Sequence, residues 1–149
     1  LIFKEKGKVL IERDEEIKEI LENIKSVAVV GLSSNTDKPS NYVSKFLKER
    51  GIRVFGVNPK YEGQQIMGIK VFKSLSEIPE DIDVILVFRP PEDVPQILKE
   101  ALQKGFKVFW MQPGTVNEEI KKQLILLGRK VVAGRCIKIE TQRLGISPP

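Results

Sequence analysis

Four short stretches carry the residue types that could hold a charged small molecule. The first is Gly31-Leu-Ser-Ser34, with Lys38 and Pro39 a few residues on. The second is Asn58-Pro-Lys60, the third Arg89-Pro90 and the fourth Gln112-Pro-Gly114. Serine hydroxyls and backbone N–H groups can donate to a pyrophosphate, and Lys38, Lys60 and Arg89 can supply positive charge to it. Glycine at 31 lets backbone approach a ligand closely. This is binding chemistry. Histidine is absent from the 149 residues, which removes the commonest general base, the commonest metal ligand and any phosphohistidine step. With one cysteine and no histidine, a zinc site would need unusual carboxylate ligation, so no metal site and no catalytic residue is assigned.

The segments flanking these stretches determine how their residues are positioned. Val27-Ala-Val-Val30 is a continuous, mostly β-branched run, as expected of a strand buried on both faces of a parallel sheet. Ser40 stands where a helix N-cap should be, ahead of Val43, Phe46 and Leu47 at helical spacing. Strand, glycine, polar loop and helix N-terminus together form a phosphate cradle. Arg53 to Asn58 reads as a second strand after the stop at Gly51, and Asp83 to Phe88 as another, apolar on both faces. Residues 60–72 are turn-rich and allow only a short strand, and Leu75 and Ile78 suggest one helical turn. Val94, Ile97, Leu98 and Ala101 form a helical stripe that stops at Gly105. Lys107 to Met111 is a strand, Asn117 caps a helix carrying Ile120, Leu124 and Leu127, and Val131 to Ala133 is a last short strand. A tail to Leu144 forms a final turn or helix. Ahead of all this, Asp14 caps a helix with Ile17, Ile20, Leu21 and Ile24 on one face. Val9 to Ile11 reads as a short strand or part of an ordered arm, and Lys4, Lys6 and Lys8 as a solvated edge.

Strands alternating with helices imply right-handed crossovers. The expected fold is α/β: a Rossmann-like, doubly wound, mainly parallel sheet with helices on both faces. It is a single domain over residues 1–149, with residues 1–25 an N-terminal arm and helix packed on it. In such a sheet the ligand sits beyond the carboxyl ends of the strands, where the winding reverses. In the Rossmann-like order that point falls between the strand ending at Gly31 and the strand ending at Phe88. The four stretches would then share one rim.

The loop after the first strand lacks Gly-x-Gly-x-x-Gly, and no Gly-Lys-Ser/Thr P-loop is present. The end of the second strand discriminates better. NAD-binding folds usually place an acidic residue there to grip the ribose diol, and here Asn58, Pro59 and Lys60 stand instead. An amide and a cation favour a ligand with phosphate on or near its ribose, a need that both coenzyme A and NADP meet. Arg89 either takes phosphate or pairs with Glu92 or Asp93. Trp110 packs in or beside the core, and Cys136 is a small buried hydrophobe.

Val27-Ala-Val-Val-Gly-Leu-Ser33 with Lys38-Pro39, Val57-Asn-Pro-Lys-Tyr61, Val87-Phe-Arg-x-Pro91, Trp110-Met-Gln-x-Gly114 and Gly134-Arg-Cys-x-Lys-x-Glu140 resemble the small stand-alone CoA-binding proteins. Their fold is similar to the CoA-binding domain of the succinyl-CoA synthetase α-subunit. The resemblance runs from about Ser26 to Leu144. It implies coenzyme A held by the loops after the first, second and fourth strands. Gly31 and Ser33 would face the pyrophosphate, with Lys38 nearby, and Leu32, Ser34 and Pro39 of the same loop are taken as binding residues with them. Asn58, Pro59 and Lys60 would line the adenosine 3′-phosphate end, and Arg89 and Pro90 the ligand's central part. One departure stands out: the family commonly has Asp-Arg-Cys near the C-terminus, and here Gly134 takes the place of the Asp. The phosphohistidine of the larger enzyme cannot exist in a chain without histidine.

Composition agrees with a binding module. A net charge of +5, from 25 basic and 20 acidic residues, suits an anionic small ligand. There is no long basic run interleaved with aromatics, so nucleic acid is not an expected partner. No apolar run approaches the roughly 20 residues of a spanning helix, so no membrane partner is expected either. The first residues lack a secretion signal and the lone cysteine fits a reducing compartment, which points to the cytoplasm. Apolar surface on the first helix or the C-terminal tail would allow a homodimer. The reading is a non-catalytic CoA- or acyl-CoA-binding protein. Its alternatives are an NADP-linked or acyl-transfer enzyme component using Cys136, and a nucleotide-sensing regulator.

Overall fold

Seven strands make one sheet in the order β3-β4-β2-β1-β5-β6-β7. The computed structural model describes residues 9–149. The strands are β1 (Ser26–Val30), β2 (Arg53–Val57), β3 (Gln65–Ile66), β4 (Ile69–Phe72), β5 (Val84–Val87), β6 (Val108–Met111) and β7 (Lys130–Ala133). Every pairing is parallel except β3 with β4. The helices are α1 (Asp14–Asn23), α2 (Pro39–Glu49), α3 (Val94–Lys104), α4 (Glu118–Leu126) and α5 (Ile137–Arg143). The arm over residues 1–8, with Lys4, Lys6 and Lys8, lies outside the described residues. Among the described residues no helix is long and apolar enough to cross a membrane.

The apolar strand runs arise from two-sided burial. Val27, Val29, Val84, Leu86, Val108 and Trp110 join one core cluster, with Ile17 and Leu21 of α1 and Val43 and Leu47 of α2. Their strand neighbours Ala28, Val30, Ile85, Val87, Phe109 and Met111 join the other, beneath Ile97 and Leu98 of α3 and Ile120 and Leu124 of α4. Successive strand residues point to opposite faces, so a layer covered on both faces needs apolar residues at every position. The winding reverses between β1 and β5, which pair with each other while β2 lies on the far side of β1.

Several elements differ locally from the sequence expectation. Within residues 60–72 a β-hairpin, β3 and β4, spans residues 65–72, and its second strand extends the parallel sheet beside β2. The strand ending near Phe88 is therefore the fifth, not the fourth. Helix α2 starts at Pro39 with Lys38 as its N-cap. Proline's fixed φ suits a first helical position, and it moves the start ahead of Ser40. Arg13, not Asp14, is the N-cap of α1, where its N–H donates to Glu16 Oε1 at 3.3 Å. Leu127 falls outside α4 and is 56 % exposed, so it takes no part in the stripe. The Val9–Ile11 strand is a single parallel bridge, Leu10 to Val131.

Charge ties α5 to the rest. Glu140 is buried, and its carboxylate accepts from Arg135 Nη1 at 2.8 Å and from Arg143 Nε at 2.8 Å. Arg143 also donates to both carboxylate oxygens of Asp14 on α1, at 2.8 and 3.1 Å. The hydrogen bond from Arg143 is the main cause holding the Glu140 carboxyl below its ordinary value, helped by Arg135 and opposed by burial. The unfolded chain lacks these partners. Ionised Glu140 therefore stabilises the fold above the ordinary carboxylate pKa, and that stabilisation is lost as pH falls through the folded value. Replacement by Gln should cost about 1–3 kcal/mol at neutral pH. It should also flatten the acid limb of stability against pH, both read from urea denaturation between pH 3 and 7, a window set roughly by carboxylate titration.

Candidate functional site

Strand β1 ends at Gly31, whose φ of +97° is a conformation that side-chain-bearing residues seldom adopt. Its N–H donates to Val57 O at 2.8 Å, closing the carboxyl ends of β1 and β2 together. The next residue, Leu32, turns back into the core and is fully buried. Gly56 on β2 makes room for it: a Cβ at 56 would stand 2.6 Å from Leu32 Cδ2.

The polar loop then folds on itself. Ser33 N–H donates to Ser40 Oγ at 3.0 Å, Ser33 Oγ accepts from Asn35 N–H at 3.0 Å, and Asn41 Nδ2 donates to Ser33 O at 2.8 Å. So Ser40, expected as a cap, instead holds the loop to the helix. Ser34 Oγ donates to the Tyr61 hydroxyl at 3.0 Å, which links this loop to the turn after β2. That hydrogen bond, reinforced by Lys60, keeps the Tyr61 phenol below its ordinary pKa. Asn58 makes a second link. Its Nδ2 donates to Leu32 O at 2.9 Å, and its Oδ1 accepts from Lys60 N–H at 3.0 Å.

Between these loops and α3 lies a crevice of about 560 Å³. Five residues singled out from the sequence line it: Gly31, Asn58, Pro59, Lys60 and Arg89. Its apolar floor is Val30, Val57, Leu75 and Ile97. Lys73, after β4, adds a cation to the wall formed by Lys60 and Arg89. Glu92, Asp93, Gln96 and Glu100 also line it. None of these last five is an expected site residue. Glu92, Gln96 and Glu100 lie at i, i+4 and i+8, a polar stripe readable in the sequence beside the apolar one. Lys73 was hidden by the weakness of the hairpin's strand pattern.

Other expected residues lie elsewhere. Leu32, Ser33, Ser34, Lys38, Pro39 and Pro90 do not line the crevice; Ser34, Lys38, Pro39 and Pro90 are exposed. Gln112 turns inward: it is 3 % exposed and its Oε1 accepts from Ile137 N–H at 2.9 Å, fixing the start of α5. The amide is next to a strand end, but it serves the helix start and not the rim. Trp110 is fully buried with its Nε1 donating to Arg135 O at 2.7 Å. Cys136 is half-buried against the first core cluster. Arg89 pairs with Asp93, its Nη2 donating to Oδ2 at 2.7 Å.

Two larger hollows, each about 720 Å³, lie at the amino ends of the strands. Asp83, which borders both, accepts from Lys25 and Ser26 N–H at 2.8 and 3.3 Å and pairs with Lys107 at 3.2 Å. Ligands of open parallel sheets bind at the carboxyl ends. The smaller crevice, at the winding reversal on that side and with Lys60, Lys73 and Arg89 in its lining, is the candidate site.

A mostly parallel sheet with helices on both faces and a crevice at the winding reversal defines a Rossmann-like α/β domain. The chain belongs to the CoA binding domain family, which it matches over residues 25–142. It is 43 % identical over 124 residues to the uncharacterized protein YneT of Bacillus subtilis, covering 83 % of this chain and 90 % of that protein. It is 36 % identical over 122 residues to the α-subunit of the ADP-forming acetate–CoA ligase I of Pyrococcus furiosus, covering 75 % of this chain. The chain spans 26 % of that ligase subunit's length. A Thermus thermophilus protein of known structure superposes with a TM-score of 0.85 at 35 % identity, covering 89 % of this chain and 99 % of that one.

Gly31 is the tightest point of the site. A Cβ there would stand 2.9 Å from Arg89 Cδ and 3.1 Å from Phe88 O, and the positive φ adds strain. Gly31→Ala should lower unfolding free energy by about 1–3 kcal/mol, read by thermal and urea denaturation.

Proposed function

We propose that this chain binds coenzyme A or an acyl-CoA in the crevice at the winding reversal and has no catalytic group of its own. The observation that carries the reading is the convergence of Lys60, Lys73 and Arg89 on one crevice with an apolar floor. Phosphates need fixed cations, and adenine or pantetheine needs an apolar surface, so this donor set fits the molecule. Lys60 and Lys73 have no carboxylate partner among the described residues, which leaves their charge for a ligand. The loop of Ser33, Ser34, Lys38 and Pro39 follows Gly31 of the crevice in the chain and suits the pyrophosphate; Pro90 stiffens the turn beside Arg89. Asn58 acts as a strut between loops, with both ends of its amide engaged there. Family membership supports coenzyme A over NADP.

Thermal shift and calorimetry with CoA, dephospho-CoA, NADP and NAD would rank the ligands. CoA should bind most tightly. Lys60→Ala should weaken CoA about tenfold and leave dephospho-CoA nearly unchanged, because one charge-assisted contact to the 3′-phosphate is removed. Equal stabilisation by CoA and dephospho-CoA would remove the 3′-phosphate argument. Preference for NADP would replace the ligand.

A further inference from the structure

Arg89 does not stand open to the crevice. Its Nη2 and Nε both donate to the same oxygen, Asp93 Oδ2, at 2.7 and 3.2 Å. The stem of the side chain lies across Gly31, so near that a Cβ there would meet Arg89 Cδ. Pro90 and Pro91 stiffen the chain between the two charges, and Asp93 sits in helical conformation at the start of α3. Asp93 makes no side-chain cap hydrogen bond to α3. Its carboxylate is directed at the guanidinium and both residues line the crevice.

A guanidinium fork fits a carboxylate and a phosphate in the same way. The pair is also weak. The side chains are 50 % and 42 % exposed, the range in which ion pairs contribute little and exchange partners readily. We infer that Asp93 is an internal competing anion that holds Arg89 until a phosphate-bearing ligand takes the guanidinium from it. Asp93 is thus a specificity-determining residue that touches the arginine and not the ligand. Small carboxylates offer Arg89 no more than it already has, whereas a diphosphate carries more charge and more acceptor oxygens. The crevice therefore discriminates against carboxylate anions and accepts a diphosphate ester, at the cost of some affinity for the latter.

This inference rests on the CoA reading above, and calorimetry on the full chain separates the two. Asp93→Asn should tighten CoA binding about twofold to fivefold, the scale of one exposed ion pair. The gain should vanish in Arg89→Ala, Asp93→Asn double variants. Glu92→Gln removes an equal charge from the same lining without touching Arg89's partner, and should gain less. Asp93→Ser serves as a second variant if the Asn form folds poorly by circular dichroism. Unchanged or weaker binding in both Asp93 variants would overturn the inference, as would an equal gain in Glu92→Gln or a gain that persists without Arg89. Failure of the wild-type chain itself to bind CoA would instead overturn the CoA reading, and the inference with it.

Discussion

The tie between Gly31 N–H and Val57 O, at 2.8 Å, is the contact on which the site's geometry depends. It joins β1 to β2 where their last ladder pair ends, and it requires the backbone to turn with positive φ. That turn sends Leu32 into the core over Gly56 and lifts residues 33–38 onto the rim. Asn58 and Tyr61 then fasten the lifted loop from the β2 side. A longer side chain at 31 or 56 would break this sequence of contacts at its first step. Two glycines thus set the height of the loop above the sheet, and the sheet's winding sets the place of the opening.

The electrostatics of the opening are not those of the whole chain. A net charge of +5 gives only a mild field. Within the crevice, cations from the turns after β2, β4 and β5 share the lining with Glu92 and Asp93 ahead of α3 and Glu100 on it. A ligand of one sign all over would meet repulsion from part of that lining. A ligand with anionic groups at one end and hydrogen-bond donors or apolar surface at the other can meet both kinds of charge favourably. An adenine nucleotide has that form, with phosphates at one end and an amino-bearing ring at the other. The strut role of Asn58 fits this picture, because the amide replaces a carboxylate that would add negative charge beside Lys60.

Most of the fold was legible because two-sided burial writes itself into sequence. Val27–Val30 and Val84–Val87 are apolar at every position, and Val94, Ile97, Leu98 and Ala101 repeat at helical spacing; nothing else satisfies those patterns. The lining of the candidate crevice was legible where it comes from turn residues at strand ends, as with Gly31, Asn58–Lys60 and Arg89. It was not legible where side chains reach in from a neighbouring element. Gln96 and Glu100 belong to the polar side of α3, which in sequence looks like any solvated face. Gln112 lies away from the crevice for the opposite reason. Position at a strand end suggested the rim, but the side chain's direction was set by the unsatisfied N–H of Ile137. Helix starts were also blurred, since Pro39 and Ser40 both suit the first turn and only the loop's hydrogen bonds decide between them.

The Gly134 departure can be judged on the same terms. The residue has a φ of +80°, and its N–H donates to Met111 O at 2.9 Å, so β7 leaves the sheet through a left-handed turn. Space is not the obstacle to a side chain there, because a Cβ would meet only Val116 Cγ2 at 3.8 Å. Backbone conformation is what favours glycine, and Asp is among the few residues that tolerate it. What an acid at 134 could offer its neighbour Arg135 is supplied here from a different direction. Glu140, one turn into α5, pairs with Arg135 Nη1 at 2.8 Å, while Arg135 Nη2 donates to Glu12 O at 2.9 Å. Both terminal nitrogens of the arginine are therefore engaged without the missing carboxylate. Replacing Asp by Gly at this turn relaxes the backbone and leaves no cation unpaired, so the departure changes the local chemistry of the β7 exit without disturbing the crevice at β1 and β5.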